Sequence, residues 1–231
     1  MTKGILFDYG GTIDTNGLHW AVVLKSNYIK HGIELPDEIF KKAYSFAEKG
    51  LAINPLVKPS HTFLDVLRLK TEQQFNFLRE NGYNINNNKI EDIAADCNLF
   101  AKETVASAAI VLEQLATGLP MVMVSNFYGN LNTVLEEFGI RKYFKAVIES
   151  AVVGVRKPDP AIYQLGVDQL GFAAEECTVI GDSFSKDIVP GKSVGCKTIW
   201  LNKKGWEEDA PAGGVTSDIE IDDFAQIVDL I

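Results

Sequence analysis

Short apolar segments alternate with helical patterns along most of this chain, and most of these segments end in polar residues. Five such segments are centred near residues 5, 122, 147, 179 and 199. Strands that alternate with helices form a parallel sheet covered by helices on both faces. The sequence therefore predicts an α/β fold in which the carboxyl ends of the strands meet at one edge, where a ligand would bind.

One stretch of the chain, residues 17–103, interrupts this alternation. Apolar residues recur there at intervals of three and four from Ala21 onwards, and no segment has the pattern of a strand. The run Pro36-Asp37-Glu38 has the composition of a helix start. We therefore predict an all-helical cap domain at 17–103, inserted into a core formed by residues 1–16 and 104–231.

The composition restricts the partners of this protein. A formal net charge of −9 disfavours binding to nucleic acids or anionic membranes, because their phosphates would be repelled. No apolar run approaches the roughly 20 residues that span a bilayer, and Asp8 comes too early for the apolar region of a signal peptide. The three widely spaced cysteines resemble neither a disulfide framework nor a zinc site. We expect a cytoplasmic protein, monomer or homodimer, that acts on a small molecule.

Charged and hydroxyl side chains stand at or between the predicted strand ends. Asp8 ends the first strand, Ser125 the second and Asp182 the fourth, with Asp187 shortly after, while Lys157 precedes the fourth strand. The fold would bring these side chains to one pocket, where the repulsion between carboxylates requires a cation. Mg²⁺ accepts oxygen ligands of this kind. A hard cation beside a lysine and a hydroxyl suits phosphoryl transfer, in which a carboxylate can attack phosphorus.

Four motifs in chain order resemble those of the haloacid dehalogenase-like (HAD) hydrolase superfamily. They are Phe7-Asp8-x-Gly10-Gly11-Thr12, Ser125-Asn126, Lys157-Pro158-Asp159-Pro160 and Gly181-Asp182-Ser183-x₃-Asp187. The helical insertion after the first motif resembles the C1 cap of the phosphatase and phosphoglucomutase-like subgroup. This resemblance covers nearly the whole chain. It implies a Rossmann-like core, Mg²⁺ as the cofactor, and hydrolysis of a small phosphorylated metabolite through an aspartyl-phosphate intermediate.

The resemblance also implies a role for each motif residue. Asp8 would be the nucleophile and a metal ligand, with the backbone carbonyl of Gly10 and the carboxylate of Asp182 completing the metal site. Ser125 and Lys157 would bind the transferring phosphoryl group. The remaining predicted site residues are Asp187, in the metal site or holding the lysine, and three residues assigned to substrate binding, namely Thr12 beside the nucleophile loop, Asn126 and His19.

The first motif departs from the phosphatase pattern at Gly10, where phosphatases of the superfamily usually have a second aspartate. That aspartate protonates the leaving oxygen and then activates water, which contributes about 10²–10⁴-fold to the rate. Glycine still offers a backbone carbonyl, so the departure affects turnover rather than metal binding. Asp14 and His19 are the side chains that could take over, and we expect His19 first because its titration range suits both steps.

Alternative functions stay open at this point. Dehalogenases and phosphonatases of the superfamily also lack the second aspartate, but a dehalogenase attacks carbon and needs no metal, so the intact Asp182 and Asp187 argue against one. A phosphonatase would use a cap lysine as a Schiff base, for which Lys25 and Lys30 are candidates. The third alternative is a pseudoenzyme that binds a ligand or a partner without catalysis.

Overall fold

The computed structural model describes residues 1–203 and 214–231, and a parallel sheet of six strands lies at its centre. The order across the sheet is β3-β2-β1-β4-β5-β6. The five predicted strands are all present, which confirms the α/β class. The strands are β1 (Gly4–Phe7), β2 (Met121–Ser125), β3 (Phe144–Glu149), β4 (Cys177–Gly181), β5 (Lys197–Leu201) and β6 (Ile219–Ile221).

The sheet is buried on both faces, as the continuous apolar character of its strands predicts. Successive side chains of a strand point to opposite faces. Ile5 and Phe7 of β1 therefore pack in one hydrophobic cluster with Met121 and Met123, whereas Leu6 packs in a second cluster on the other face. Every strand pairing in the sheet is parallel, so the carboxyl ends of the strands lie at a single edge.

Eight α-helices surround or cap this sheet in the described residues. The four that follow β1 include the predicted cap, and no strand interrupts them. None of the described helices combines the length and the apolar character that crossing a bilayer requires. The helices are α1 (Trp20–Lys30), α2 (Asp37–Ile53), α3 (Phe63–Glu80), α4 (Lys89–Ala116), α5 (Leu131–Glu137), α6 (Ser150–Val153), α7 (Ala161–Leu170) and α8 (Val189–Ser193).

Helix α4 differs from the sequence interpretation, which began a new helix at Val105. The structure has one helix of 28 residues from Lys89 to Ala116, so the predicted border between residues 103 and 104 falls inside it. The pattern was ambiguous because buried residues continue without a break, through Ala101 and Val105, from the cap side to the core side. The helix therefore connects the predicted insertion to the core without a linker.

Candidate active site

The loop after β1 places Asp8 at the centre of the strand edge. The backbone N–H of Asp8 donates to the carbonyl of Ile180 in β4 at 2.9 Å, which continues the sheet by one residue. The hydroxyl of Thr12 lies 3.0 Å from Oδ2 of Asp8 and 3.1 Å from Oδ1 of Asp182, and it accepts the N–H of Asp182. Thr12 is fully buried. Its geometry favours support of the nucleophile loop, and its role in substrate binding stays a prediction.

Lys157 and Ser125 both reach the same oxygen of Asp8. Nζ of Lys157 donates to Oδ1 of Asp8 at 2.6 Å, and Oγ of Ser125 donates to the same atom at 3.4 Å. Burial opposes the charge of Lys157, but Asp187 and Asp8 more than offset it, so the pKa of the lysine is raised. A cation and a hydroxyl donor therefore converge beside the predicted nucleophile, where they can bind the oxygens of a phosphoryl group.

Asn126 holds the backbone of Lys157 in place. Its Oδ1 accepts the N–H of Lys157 at 2.9 Å, and its Nδ2 donates to the carbonyl of Lys157 at 3.1 Å. Both ends of the amide are thus used within the protein. The assignment of Asn126 to substrate binding stays a prediction, and the contacts support a positioning role.

Three buried or half-buried carboxylates meet at this edge. Carboxylate oxygens of Asp8, Asp182 and Asp187 all lie within 4.8 Å of one another. Burial raises the pKa of Asp8, with Lys157 opposing and Asp187 adding to the shift. Burial and then repulsion from Asp8 and Asp187 raise the pKa of Asp182 well above its ordinary value. This concentration of negative charge is suited to a divalent cation.

Asp187 accepts three hydrogen bonds, as many as Asp8 does. Its Oδ1 accepts from Nζ of Lys157 at 2.7 Å and from the hydroxyl of Tyr163 at 2.7 Å, and its Oδ2 accepts from the N–H of Ser183 at 3.0 Å. These contacts favour the role of holding the lysine over direct metal ligation, so the metal-ligand role of Asp187 stays a prediction. The sequence reasoning missed Tyr163, whose position within α7 carries no motif.

The two glycines of the first motif serve different purposes. A side-chain carbon built on Gly10 meets no atom within 4 Å, and the φ angle of Gly10 is not positive. Gly11 has a φ of +98°, and a side-chain carbon there would overlap the carboxylate of Asp182. Glycine is therefore required at Gly11, whereas the space at Gly10 could hold a larger residue.

Asp14 and His19, the predicted substitutes for the missing aspartate, both line the cavity above Asp8. Oδ1 of Asp14 accepts from the N–H of Gly11 at 2.7 Å, and its Oδ2 accepts from the indole N–H of Trp20 at 2.9 Å. Burial raises the pKa of Asp14 to about 7. Nδ1 of His19 accepts from the N–H of Ala21 and caps α1. The catalytic role of either residue stays a prediction.

The cavity itself has a volume of about 490 Å³ and lies between the strand edge and the helices of the predicted cap. On the cap side, Nζ of Lys70 lies 2.6 Å from Oε1 of Glu48, and the hydroxyl of Tyr128 donates to Oε2 of Glu48 at 2.6 Å. The sequence reasoning missed these three residues. One signal was available, because Lys70 falls on the same face of α3 as the buried Phe63 and Leu67.

The cap lysines considered from the sequence lie elsewhere. Lys25 pairs with Asp37 and Lys30 with Asp96, each at 2.7 Å, and neither lysine lines the cavity. Lys70 does line it, but burial, which would lower its pKa, is outweighed by Glu48, so the pKa is raised. An amine that stays protonated is a poor Schiff-base nucleophile. The structure therefore offers little support for phosphonatase chemistry.

Comparison with known proteins agrees with the resemblance of the four sequence motifs. A model of the haloacid dehalogenase-like hydrolases matches residues 2–195. A phosphoserine phosphatase from Thermus thermophilus is 27% identical over 120 residues, which cover 52% of this chain and 47% of that protein. The chain spans about half the length, or less, of the curated relatives that it matches first.

Two solved structures share the fold over nearly their full length. The HAD-hydrolase YfnB from Bacillus subtilis, bound to magnesium, has a TM-score of 0.61 and 18% identity, with 99% of this chain and 98% of that chain covered. A dehalogenase with an intermediate complex has a TM-score of 0.69 and 17% identity, with 100% and 97% covered. At these identities the likeness concerns the fold alone, and it does not separate phosphatases from dehalogenases.

Proposed function

The chain belongs to the haloacid dehalogenase-like hydrolases, and we propose that it is a phosphatase that hydrolyses a small phosphate monoester through a covalent intermediate on Asp8. One observation carries this proposal. Lys157 and Ser125 both donate to Oδ1 of Asp8, so a phosphoryl group delivered to that carboxylate would meet a cation and a hydroxyl at once. The phosphatase names among the relatives, such as the phosphoserine phosphatase, support the same reaction class.

The reaction would proceed in two displacements. A carboxylate oxygen of Asp8 attacks phosphorus, the bond between phosphorus and the ester oxygen breaks, and the alcohol leaves after gaining a proton. Water then attacks the same phosphorus, releases inorganic phosphate and restores the carboxylate of Asp8. Lys157 and Ser125 neutralise and orient the phosphoryl oxygens in both steps. Asp187 and Tyr163 keep the lysine in position throughout.

The site fits a magnesium ion by the chemistry of its donors. The carboxylates of Asp8 and Asp182 and the backbone carbonyl of Gly10 would hold it, which gives the all-oxygen ligand set that Mg²⁺ prefers. Asp182 has no lysine or arginine partner among the residues that the structure describes. When bound, the ion supplies positive charge to the phosphoryl oxygens.

The test uses purified protein with aryl and alkyl phosphates, with Mg²⁺ and with a chelator. We expect hydrolysis that requires Mg²⁺ and that Asp8→Asn lowers by at least about 10³-fold, since nucleophile removal has effects of this order or larger. Activity on 2-haloacids that survives chelation would instead identify a dehalogenase. Absence of turnover on every ester, at high enzyme and Mg²⁺ concentrations, would favour a binding protein.

A further inference from the structure

A second group of charges faces Asp8 across the cavity. Glu48 comes from α2 and Lys70 from α3, both in the predicted cap, whereas Tyr128 follows β2 in the core. All three line the same cavity as Asp8. The alcohol part of a phosphate ester held at Asp8 would share this cavity with them.

The charge of Lys70 is already matched within the protein. Its Nζ lies 2.6 Å from Oε1 of Glu48 and over the rings of Trp20 and Tyr128, at 5.9 and 5.5 Å from their centres. Burial opposes ionisation of Glu48, but Lys70 more than offsets this, so the pKa of Glu48 is lowered and both groups stay charged. The net charge of the Glu48–Lys70 pair is therefore zero, so the pair does not attract a second anionic group of a ligand.

The rest of the buried cavity adds negative charge. Asp8, Asp182 and Asp187 share one lysine, Lys157, on the phosphoryl side. The other basic residues that line the cavity are only partly buried or exposed, namely His19, Arg156, Lys186 and Lys203. A carboxylate on the alcohol part of the substrate would thus meet no unmatched buried cation. Electrostatic complementarity of this kind discriminates by repulsion as well as by attraction.

The same pair has hydrogen-bonding capacity left for neutral groups. Oε1 of Glu48 faces Nζ of Lys70 at 2.6 Å and Oε2 accepts from Tyr128, whereas a carboxylate has about four sites that accept hydrogen bonds. An ammonium group has three donors. A hydroxyl group of a ligand can therefore donate to Glu48 and accept from Lys70, while the rings of Trp20 and Tyr128 provide apolar walls for its carbon atoms.

We propose, on the basis of the proposed phosphatase function, that Glu48 and Lys70 form the subsite for the leaving group and select esters of neutral polyhydroxy alcohols over esters that carry a carboxylate. Tyr128 fixes this subsite relative to the reaction. Its hydroxyl donates to Oε2 of Glu48 at 2.6 Å, and its backbone follows Ser125 by three residues. A short core segment therefore links the phosphoryl-binding Ser125 to the Glu48–Lys70 pair and limits the distance between them.

Two substrates that differ at one carbon test this selection. Glycerol 3-phosphate ends in a CH₂OH group, and 3-phosphoglycerate has a carboxylate at the same position. We expect the wild-type kcat/KM to be at least about 10-fold higher for glycerol 3-phosphate, since a site that pairs with a hydroxyl discriminates strongly at that position. Glu48→Gln leaves the charge of Lys70 unmatched, so the ratio should shift towards 3-phosphoglycerate by about 10-fold or more.

Two further variants complete the design. Lys70→Met should lower kcat/KM for glycerol 3-phosphate more than for p-nitrophenyl phosphate, whose leaving group has no alcohol hydroxyl. Lys42→Met, which changes an exposed cap lysine outside the cavity, should leave the ratio as in wild type. Circular dichroism verifies that each variant is folded.

The outcomes separate the two proposals. A wild type that prefers 3-phosphoglycerate, or a folded Glu48→Gln protein with an unchanged ratio, would overturn the assignment of the subsite while leaving the phosphatase function intact. A wild type that hydrolyses neither substrate nor p-nitrophenyl phosphate in the presence of Mg²⁺ would overturn the phosphatase function itself.

Discussion

The backbone of Gly11 lies directly against the carboxylate of Asp182, so closely that a side-chain carbon on Gly11 would overlap it. This contact, together with a φ of +98°, makes glycine necessary at that position. Gly10, one residue earlier, is under neither constraint and opens into the cavity. The backbone of the loop therefore does not require glycine at Gly10, and a carboxylate side chain there would have room.

Gly10→Asp should restore hydrolysis of alkyl phosphates. In the wild type, kcat/KM should fall steeply as the pKa of the leaving group rises, because an alkoxide needs a proton that an aryl oxide does not. A positioned acid contributes about 10²–10⁴-fold, so the variant should gain up to that factor on alkyl esters and much less on aryl esters. A series of phosphate esters of graded leaving-group pKa measures both slopes.

Gly11→Ala is the matched control for this variant. The new methyl group must displace Asp182, so we expect loss of activity on both classes of ester. A folded Gly10→Asp protein with unchanged rates would show that another group already protonates the leaving oxygen. His19→Ala and Asp14→Asn would then identify that group.

Asp182→Asn should make the metal-free protein more stable and its response to magnesium weaker. Burial and the neighbouring Asp8 and Asp187 raise the pKa of Asp182, so its ionised form is unfavourable without a cation. A ligand at 100 times its Kd stabilises the folded state by about 2.7 kcal/mol, and the wild type should gain on this order from saturating Mg²⁺. Thermal unfolding with EDTA and with Mg²⁺ measures both effects. An asparagine variant less stable than wild type in EDTA would contradict the expectation.

The metal-free protein should lose stability between about pH 4 and pH 7 because of Asp14. The folded-state pKa of Asp14 is raised from 3.8 to about 7, so in this range the folded state binds more protons than the unfolded state. Its free energy of unfolding therefore falls as the pH rises through this window and levels off above it. Urea unfolding in EDTA at several pH values gives the slope.

Asp14→Asn should make that slope shallower. The variant is also expected to lose some stability at every pH, because the asparagine amide would oppose the indole N–H of Trp20. The slope rather than the absolute stability is thus the informative quantity. An unchanged slope in the variant would mean that Asp14 does not titrate in this range.

Tyr163→Phe should lower phosphatase activity by about 10-fold with little change in fold. The variant keeps the buried ring and removes only the hydroxyl that donates to Asp187 at 2.7 Å. A hydrogen bond to a charged group contributes about 1.5–3 kcal/mol, and its loss loosens the carboxylate that holds Lys157. Weaker binding of inorganic phosphate would place the effect at the lysine. Wild-type kinetics in the variant would show that Lys157 and the N–H of Ser183 fix Asp187 without the tyrosine hydroxyl.

The convergence of the site was predictable because it follows from topology. Parallel strands end at one edge, so motifs at the ends of β1, β2 and β4 had to meet there. Strand β6, by contrast, was not predicted from the sequence. This strand has only three residues with Glu220 at its centre, and it forms by pairing with β5, about twenty residues earlier. This pairing depends on the free edge of β5, which cannot be inferred from the residues of β6 alone.

The cap side of the site was less predictable for a similar reason. Lys70 and Glu48 belong to different helices and meet Tyr128 of the core only when the insertion packs on the sheet. Helical spacing marks Lys70 as buried but does not identify its partner. The same holds for Asn126, whose amide contacts depend on the path of the loop at Lys157.

Helix α4 runs without a break from the predicted cap into the predicted core. Its first half, with Ile93 and Cys97, and its second half, with Val111 and Leu112, contribute to one continuous hydrophobic cluster. Caps could be exchanged between relatives to change specificity. A cut at residue 103 would break helix α4 in the middle and expose apolar surface on both fragments. A chimera would have to carry the whole of α4 from a single parent. The second half of that helix would then have to pack against the sheet of the recipient, so a successful exchange depends on this contact as well as on the residues that line the cavity of the donor.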